Sequence, residues 1–165
     1  MSKIFLAGGC FWGIEHYIRQ IKGVTNTTVG YANSTVSNPT YEEVKKGLTK
    51  AAETVMVEYD EEVIGLSEIL KLFFIAIDPE SIDKQGEDVG HQYRTGIYYI
   101  DPKDLKIIQG EIERQKEYHK FIYTEVLELT NFYPAEEYHQ DYLIKNPGGY
   151  CHVPLGLIKL AKNYK

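Results

Sequence analysis

Apolar positions along the chain alternate between two periods, and the switches mark out its elements. Ile4 to Ala7 is a short apolar run that predicts a buried strand, ended by Gly8-Gly9. Phe11, Ile14, Tyr17, Ile18 and Ile21 then recur at helical spacing, with Gly23 as the stop. Val24 to Tyr31, rich in Thr and Val, predicts a strand. Thr40 and Glu43 form a capping-box pattern for a short helix ending near Gly47. Glu53, Val55, Val57 and Tyr59 alternate with Thr54, Met56 and Glu58, as in a half-buried strand.

Ser67 is placed to cap a helix through Leu70, Phe73, Phe74 and Ile77, stopped by Asp78-Pro79. Arg94 to Ile100 predicts another strand. Asp101-Pro102 opens a long helix to about Lys120. A strand over Glu125 to Leu129 and a helix over Ala135 to Lys145 follow. Residues 32–39, 79–92 and 146–154 lack periodicity and are expected to be loops. Mixed β and α order with few tight hairpins predicts an α+β or α/β sandwich, a sheet with helices packed on it, over one domain spanning residues 1–165.

Composition narrows the class. At 165 residues the chain is long enough for a core without disulfide or metal staples. A net charge of -6 disfavours general nucleic-acid or anionic-membrane binding. The N-terminus carries no signal-peptide pattern, and no apolar stretch is long enough to span a bilayer, so a cytoplasmic location is expected. Nothing suggests an obligate interface, and a monomer is expected. The two cysteines, Cys10 and Cys151, lie near opposite ends without metal-ligand spacing around them. No metal site is expected, which leaves reactive thiols or plain buried ones.

Cys10 sits where a strand hands over to a helix. Unpaired N–H groups and the positive dipole end there should lower its pKa. Phe11 fits the buried helical stripe, and Trp12, about 100° further round, should point towards the surface beside the thiol. An aromatic there suggests an apolar substrate pocket. The same pattern is compatible with a buried structural thiol, with a thiol hydrolase or acyltransferase using Cys10 with a histidine and a carboxylate, and with a redox sensor in which the two cysteines toggle. His16 does not share the helix face of Cys10 well, and no local signature for a Cys–His dyad is present.

Gly9-Cys10-Phe11-Trp12-Gly13, followed by Ile14-Glu15, closely resembles the catalytic signature of the peptide-methionine (S)-S-oxide reductases, the methionine sulfoxide reductase A family. The resemblance extends through Asn38-Pro39-Thr40-Tyr41-Glu42-Glu43-Val44, Ala52-Glu53-Thr54-Val55 and Gln85-Gly86-Glu87-Asp88-Val89-Gly90-His91-Gln92-Tyr93-Arg94. His139-Gln140-Asp141-Tyr142-Leu143 and Lys145-Asn146-Pro147-Gly148-Gly149-Tyr150-Cys151 complete the set. It implies an α+β two-layer sandwich, a mixed sheet with packed helices around a ferredoxin-like core.

It also implies roles. Cys10 would attack the sulfoxide sulfur, with Glu53 as the acid and Tyr41 and Tyr93 as phenolic donors to the oxygen. Phe11 and Trp12 would hold the methyl group; Asp88 and His139 would contact or orient the substrate main chain. Cys10 would become a sulfenic acid, resolved by Cys151 as a disulfide. Thioredoxin or a similar dithiol protein, or dithiothreitol in the test tube, would then reduce that disulfide, with no bound cofactor. Substrates would be methionine sulfoxide in oxidised proteins, in peptides or free; the S epimer follows from the resemblance alone. The placement of Glu53 on the strand face of Val55 and Val57 independently predicts a raised pKa.

The chain departs from the family pattern at three places. No further cysteine follows Cys151, Asn33-Ser34 replaces a common Gly-Gly, and Lys50-Ala51 replaces a common Gly-His.

Overall fold

The computed structural model describes residues 2–146, 153 and 155–164. Its elements run β1 (Ser2–Gly8), α1 (Phe11–Ile18), β2 (Val24–Ala32), α2 (Tyr41–Lys45), β3 (Ala52–Tyr59) and α3 (Leu66–Ala76). Two short strands follow, β4 (Lys84–Gln85) and β5 (Asp88–Val89), then a 3₁₀ turn over His91–Tyr93 and β6 (Thr95–Tyr99). The last part comprises α4 (Asp104–Gln115), β7 (Glu125–Glu128), β8 (Phe132–Pro134), a 3₁₀ turn over Glu137–His139, α5 (Tyr142–Lys145) and α6 (Leu155–Asn163).

Six strands form one mixed sheet in the order β7-β6-β1-β3-β2-β8. All neighbours are antiparallel except β6 and β7, which run parallel. A parallel pair needs a crossover, and α4 is that crossover. Alternation along the strands turns Ile4, Leu6, Val29, Tyr31, Val55, Val57 and Ile97 to one face. Phe11, Ile14 and Ile18 of α1 and Ile69, Leu70 and Phe73 of α3 pack on that face and form the main core. The other face carries a small cluster of Phe5, Ala7, Ala32, Ala52 and Tyr98, with Phe132 covering Phe5 at a ring distance of 5.1 Å. The architecture is therefore α+β, as expected.

Several expected boundaries move, each for a local reason. The first helix stops at Ile18, because Gln20 and Ile21 donate to carbonyls three residues back and tighten the turn. Ile21 stays buried regardless. Ser67 is not the cap of α3; Gly65 occupies that position without a side-chain bond. The capping box of Thr40 and Glu43 forms in full. The helix after Asp101-Pro102 begins at Asp104 and ends at Gln115, after a first turn in which Asp104 and Leu105 donate three residues back. β3 is buried on both faces for much of its length, because Ala52 belongs to the second cluster and Met56 packs against it.

The helix expected over Ala135 to Lys145 is broken. Asp141 takes a left-handed conformation (φ 53°), and the Gln140 side chain bonds both the N–H and the carbonyl of Val29. Tertiary partners therefore outbid the helical ladder in that stretch. The helix over Leu155–Asn163 was not anticipated.

Gly30 is where β8 reaches the sheet. A Cβ at that position would lie 2.5 Å from the Tyr133 carbonyl oxygen and 2.5 Å from the Phe132 ring. Gly30→Ala is expected to destabilise the fold by about 1–3 kcal/mol through overpacking against backbone. Urea unfolding with an unchanged m-value would measure it.

Candidate active site

The site is built at the start of α1. Gly9, at φ 91°, turns the chain out of β1, and Cys10 becomes the N-cap. The first helical N–H groups are then distributed between two chemical groups. Phe11 donates to Glu53 Oε1 at 3.2 Å. The N–H groups of Trp12 and Gly13 act on the Cys10 thiol and favour its anion, although none forms a regular cap to the sulfur.

That influence does not prevail, which corrects the expectation of a lowered pKa. Cys10 is only 8% exposed, and burial, followed by the charge of Glu53, pushes its thiol well above the ordinary range. Removing a thiolate from water costs more than the helix start returns. The thiol therefore holds its proton at neutral pH.

Glu53 points from β3 into the same space and is 1% exposed. Burial, then the repulsion of Asp88, raises its pKa to about 8 against the pull of the Phe11 N–H. Its second oxygen, Oε2, is buried with no hydrogen-bond partner among the described residues. At neutral pH this carboxyl is predominantly protonated and has one uncommitted oxygen. The expectation from the strand face is met.

Tyr41 opens α2, and Tyr93 ends the 3₁₀ turn before β6. Burial, Glu53 and Cys10 raise Tyr41 to about 12, partly offset by the Tyr93 hydroxyl, which donates toward it. Tyr93 is raised by burial, Glu53, Tyr41, Cys10 and Asp88. Both phenols therefore remain donors. Asp88, on β5, acts electrostatically on Cys10, Glu53 and Tyr93. Residues from five separated segments converge on one spot.

Phe11 is buried in the core, with its ring 5.7 Å from that of Tyr31. Trp12 is half-buried, and its indole is held on two sides. It stacks on Tyr142 at 3.7 Å and 10°, and its Nε1–H donates to His139 Nδ1 at 3.1 Å. His139 is 1% exposed and packs among Phe11, Trp12, Tyr41 and Tyr138. Burial lowers its pKa despite Glu136, so the ring is neutral. Accepting at Nδ1 puts the proton on Nε2, a buried atom without a partner among the described residues. Cys151 lies outside the described residues.

Sequence reasoning passed over two supporting residues. Glu136 accepts from the Tyr31 hydroxyl and the Tyr41 N–H, both at 3.1 Å, and so fixes the start of α2. Arg94 bonds Glu125, the His91 carbonyl and the Lys50 carbonyl, tying the Tyr93 turn to the entry of β3. The Glu136 partners, and the Glu125 and Lys50 partners of Arg94, are far away in sequence, so local pattern does not reveal these ties. The departures at Asn33 and Lys50 fall on left-handed positions (φ 52° and 56°). Glycine would adopt that conformation without strain. Asn33 offsets the cost by accepting from Thr130, and Lys50 by its carbonyl bond to Arg94. Among the described residues, no group of three or more His, Cys, Asp or Glu side chains is arranged to hold a metal, and no helix is long and apolar enough to cross a membrane. No histidine hydrogen-bonds Cys10 among the described residues; burial, then Arg19, lowers the pKa of His16.

Residues 2–164 match the family model described as peptide methionine sulfoxide reductase. A peptide methionine sulfoxide reductase MsrA from Clostridium perfringens is 57% identical over 156 residues, covering 94% of this chain and 99% of that protein. The reduced form of Mxr1 from Saccharomyces cerevisiae superposes with a TM-score of 0.87 at 39% identity, covering 93% of this chain and 91% of that one. Mxr1 in complex with Trx2 matches with a TM-score of 0.61 at 30% identity, covering 86% and 84% of the two chains. With a buried thiol, a protonated carboxyl and two phenols gathered at one helix start, and with this likeness along nearly its whole length, the chain belongs to the peptide methionine sulfoxide reductase family, in its MsrA branch.

Proposed function

We propose that the chain reduces the S epimer of methionine sulfoxide, free or within peptides and proteins, with Cys10 as nucleophile and Cys151 as resolving thiol. The observation that carries this reading is Glu53: a fully buried carboxyl, protonated at neutral pH, that acts on the Cys10 thiol and whose Oε2 has no partner among the described residues. A sulfoxide oxygen is a strong acceptor that must be protonated before it can leave sulfur. Glu53 can give that proton, while Tyr41 and Tyr93 donate hydrogen bonds to the same oxygen. The methyl group rests on Phe11 and Trp12, and Asp88 and His139 take the substrate main chain.

The partly positive sulfur of a bound sulfoxide favours the thiolate that burial disfavours. Sγ attacks that sulfur as Glu53 protonates the oxygen. The S–O bond to the substrate breaks, and the oxygen ends on Sγ as a sulfenic acid. The thiol proton restores Glu53, so thiol plus sulfoxide gives sulfenic acid plus thioether in balance. The Cys151 thiol then attacks Sγ, water leaves, and a disulfide remains. A dithiol protein then reduces this disulfide. The complex of the related yeast protein with Trx2 favours thioredoxin. With the oxygen held at Glu53 and the methyl at Trp12, one sulfur configuration faces Cys10. We place this activity in the cytoplasm, in a monomer acting as one catalytic domain over residues 1–165 without a bound cofactor.

Separate S and R epimers of a methionine sulfoxide peptide, incubated with dithiothreitol, test the proposal. Methionine should form from the S epimer alone; absence of that conversion overturns it. Cys151→Ser should release roughly one methionine per enzyme by the sulfenic acid route and fail to cycle with thioredoxin. Normal cycling would remove Cys151 from the mechanism.

A further inference from the structure

Glu15 is a second buried carboxyl near the site, and the mechanism above does not use it. It lies on α1, within two turns of Cys10, and is 2% exposed. Its two oxygens are committed to different elements. Oε2 accepts from the Thr27 hydroxyl of β2 at 3.1 Å, and Oε1 accepts from the Asp141 backbone N–H at 2.9 Å. Asp141 is the left-handed residue that breaks the expected helix, and Arg19, the C-cap of α1, grips its carboxylate from the other side. Asp141 is thus held twice by one helix, at its backbone by Glu15 and at its side chain by Arg19.

The segment held in this way contains both partners of Trp12. His139, two residues before Asp141, accepts from the indole N–H, and Tyr142, the next residue, stacks on the indole face. We propose that Glu15 is a positioning residue for the substrate pocket, acting through Asp141 to press the His139–Tyr142 wall against Trp12. Burial and Asp141 raise its carboxyl to about 7, while Thr27, the Asp141 N–H and Arg19 pull it down. A residue that merely filled this space would be apolar, since an uncharged side chain avoids that desolvation.

The proposal rests on Trp12 forming part of the substrate pocket, and its test separates the two ideas. Trp12 is the sole tryptophan, so its fluorescence reports on this wall without any turnover. In Glu15→Ala the Asp141 N–H and the Thr27 hydroxyl lose their acceptor. Trp12 emission should shift to the red with stronger acrylamide quenching. KM for methionine sulfoxide should rise about 10-fold, the effect of one buried hydrogen bond, with kcat within about 3-fold because Cys10 and Glu53 are untouched.

In Glu15→Gln the amide oxygen still accepts from Asp141 and the amide N–H can donate to Thr27. Fluorescence and KM should return to within about 2-fold of the parent. Should Glu15→Ala not fold, Arg19→Met leaves the buried carboxyl in place and cuts only the outer grip. It should show the same emission shift and a KM rise of about 2–3-fold, as for an exposed ion pair. Unchanged Trp12 emission in folded Glu15→Ala or Arg19→Met, or a loss confined to kcat, overturns the proposal. A Trp12 shift in a protein whose parent reduces no sulfoxide would retain the wall and refute the proposed function instead.

Discussion

Cys10→Ser should form no methionine above the enzyme-free blank, with dithiothreitol or with thioredoxin, while folding as the parent does. A serine hydroxyl ionises far above neutral pH and is a poor nucleophile toward sulfur, so neither the attack nor a sulfenic acid is available. The fold has no reason to suffer. Cys10 is the N-cap of α1, with no regular side-chain cap to the helix, and serine is among the preferred residues there. A hydroxyl also tolerates the nearby Trp12 and Gly13 N–H groups. Amino-acid analysis of the reaction, paired with thermal unfolding, separates loss of chemistry from loss of structure. Turnover within about 10-fold of the parent would remove Cys10 as nucleophile.

Glu53→Gln should have the next largest effect, and it runs in opposite directions for activity and stability. Glutamine keeps an oxygen to accept from Phe11 and an amide to donate to the sulfoxide oxygen, but it has no proton to transfer. Turnover should fall by roughly 10²–10⁴-fold, the usual contribution of a placed general acid, with little change in KM. In the parent, activity should decline as pH rises through about 8, where Glu53 loses its proton.

The same titration governs stability. Between the ordinary glutamate value of 4.5 and about 8, the folded protein keeps a proton on Glu53 that the unfolded chain has released. Parent stability therefore falls as pH rises across that window. Glu15, raised to about 7, contributes in the same direction over a narrower range. Glu53→Gln has no such proton to hold. Its stability should match the parent most closely near pH 5 and exceed it by pH 8.5, by on the order of 3 kcal/mol. Thermal unfolding at the two pH values measures the difference. A parent–variant difference that stays the same at the two pH values would mean that Glu53 titrates as a normal carboxylate.

Such a stability penalty is what a residue kept for function would leave behind. A core selected only for stability would place an apolar residue on the inner face of β3 beside Val55 and Val57. Glu53 instead places a carboxyl there, with one oxygen held by a helix N–H and the other without a partner among the described residues.

Much of this was legible in the residues themselves. Period and punctuation located β1, α1, β2, α2 and β3, because those segments bury faces whose repeat follows from backbone geometry. The blocks around Cys10, Tyr41, Glu53, Asp88, Tyr93 and His139 singled out the site, and the strand face of Glu53 forecast its raised pKa. Other features depend on partners distant in sequence, which local pattern does not encode. Ala135 to Lys145 reads as a helix until Glu15 captures the Asp141 N–H and Gln140 bonds to Val29. Trp12 reads as a surface residue until Tyr142 stacks on it. The Cys10 pKa shows the division most clearly. Its place at a helix start is written in the sequence and pulls the pKa down. The depth of burial and the nearby Glu53 charge belong to the tertiary structure alone, and they win because desolvating a thiolate outweighs two imperfectly placed N–H groups.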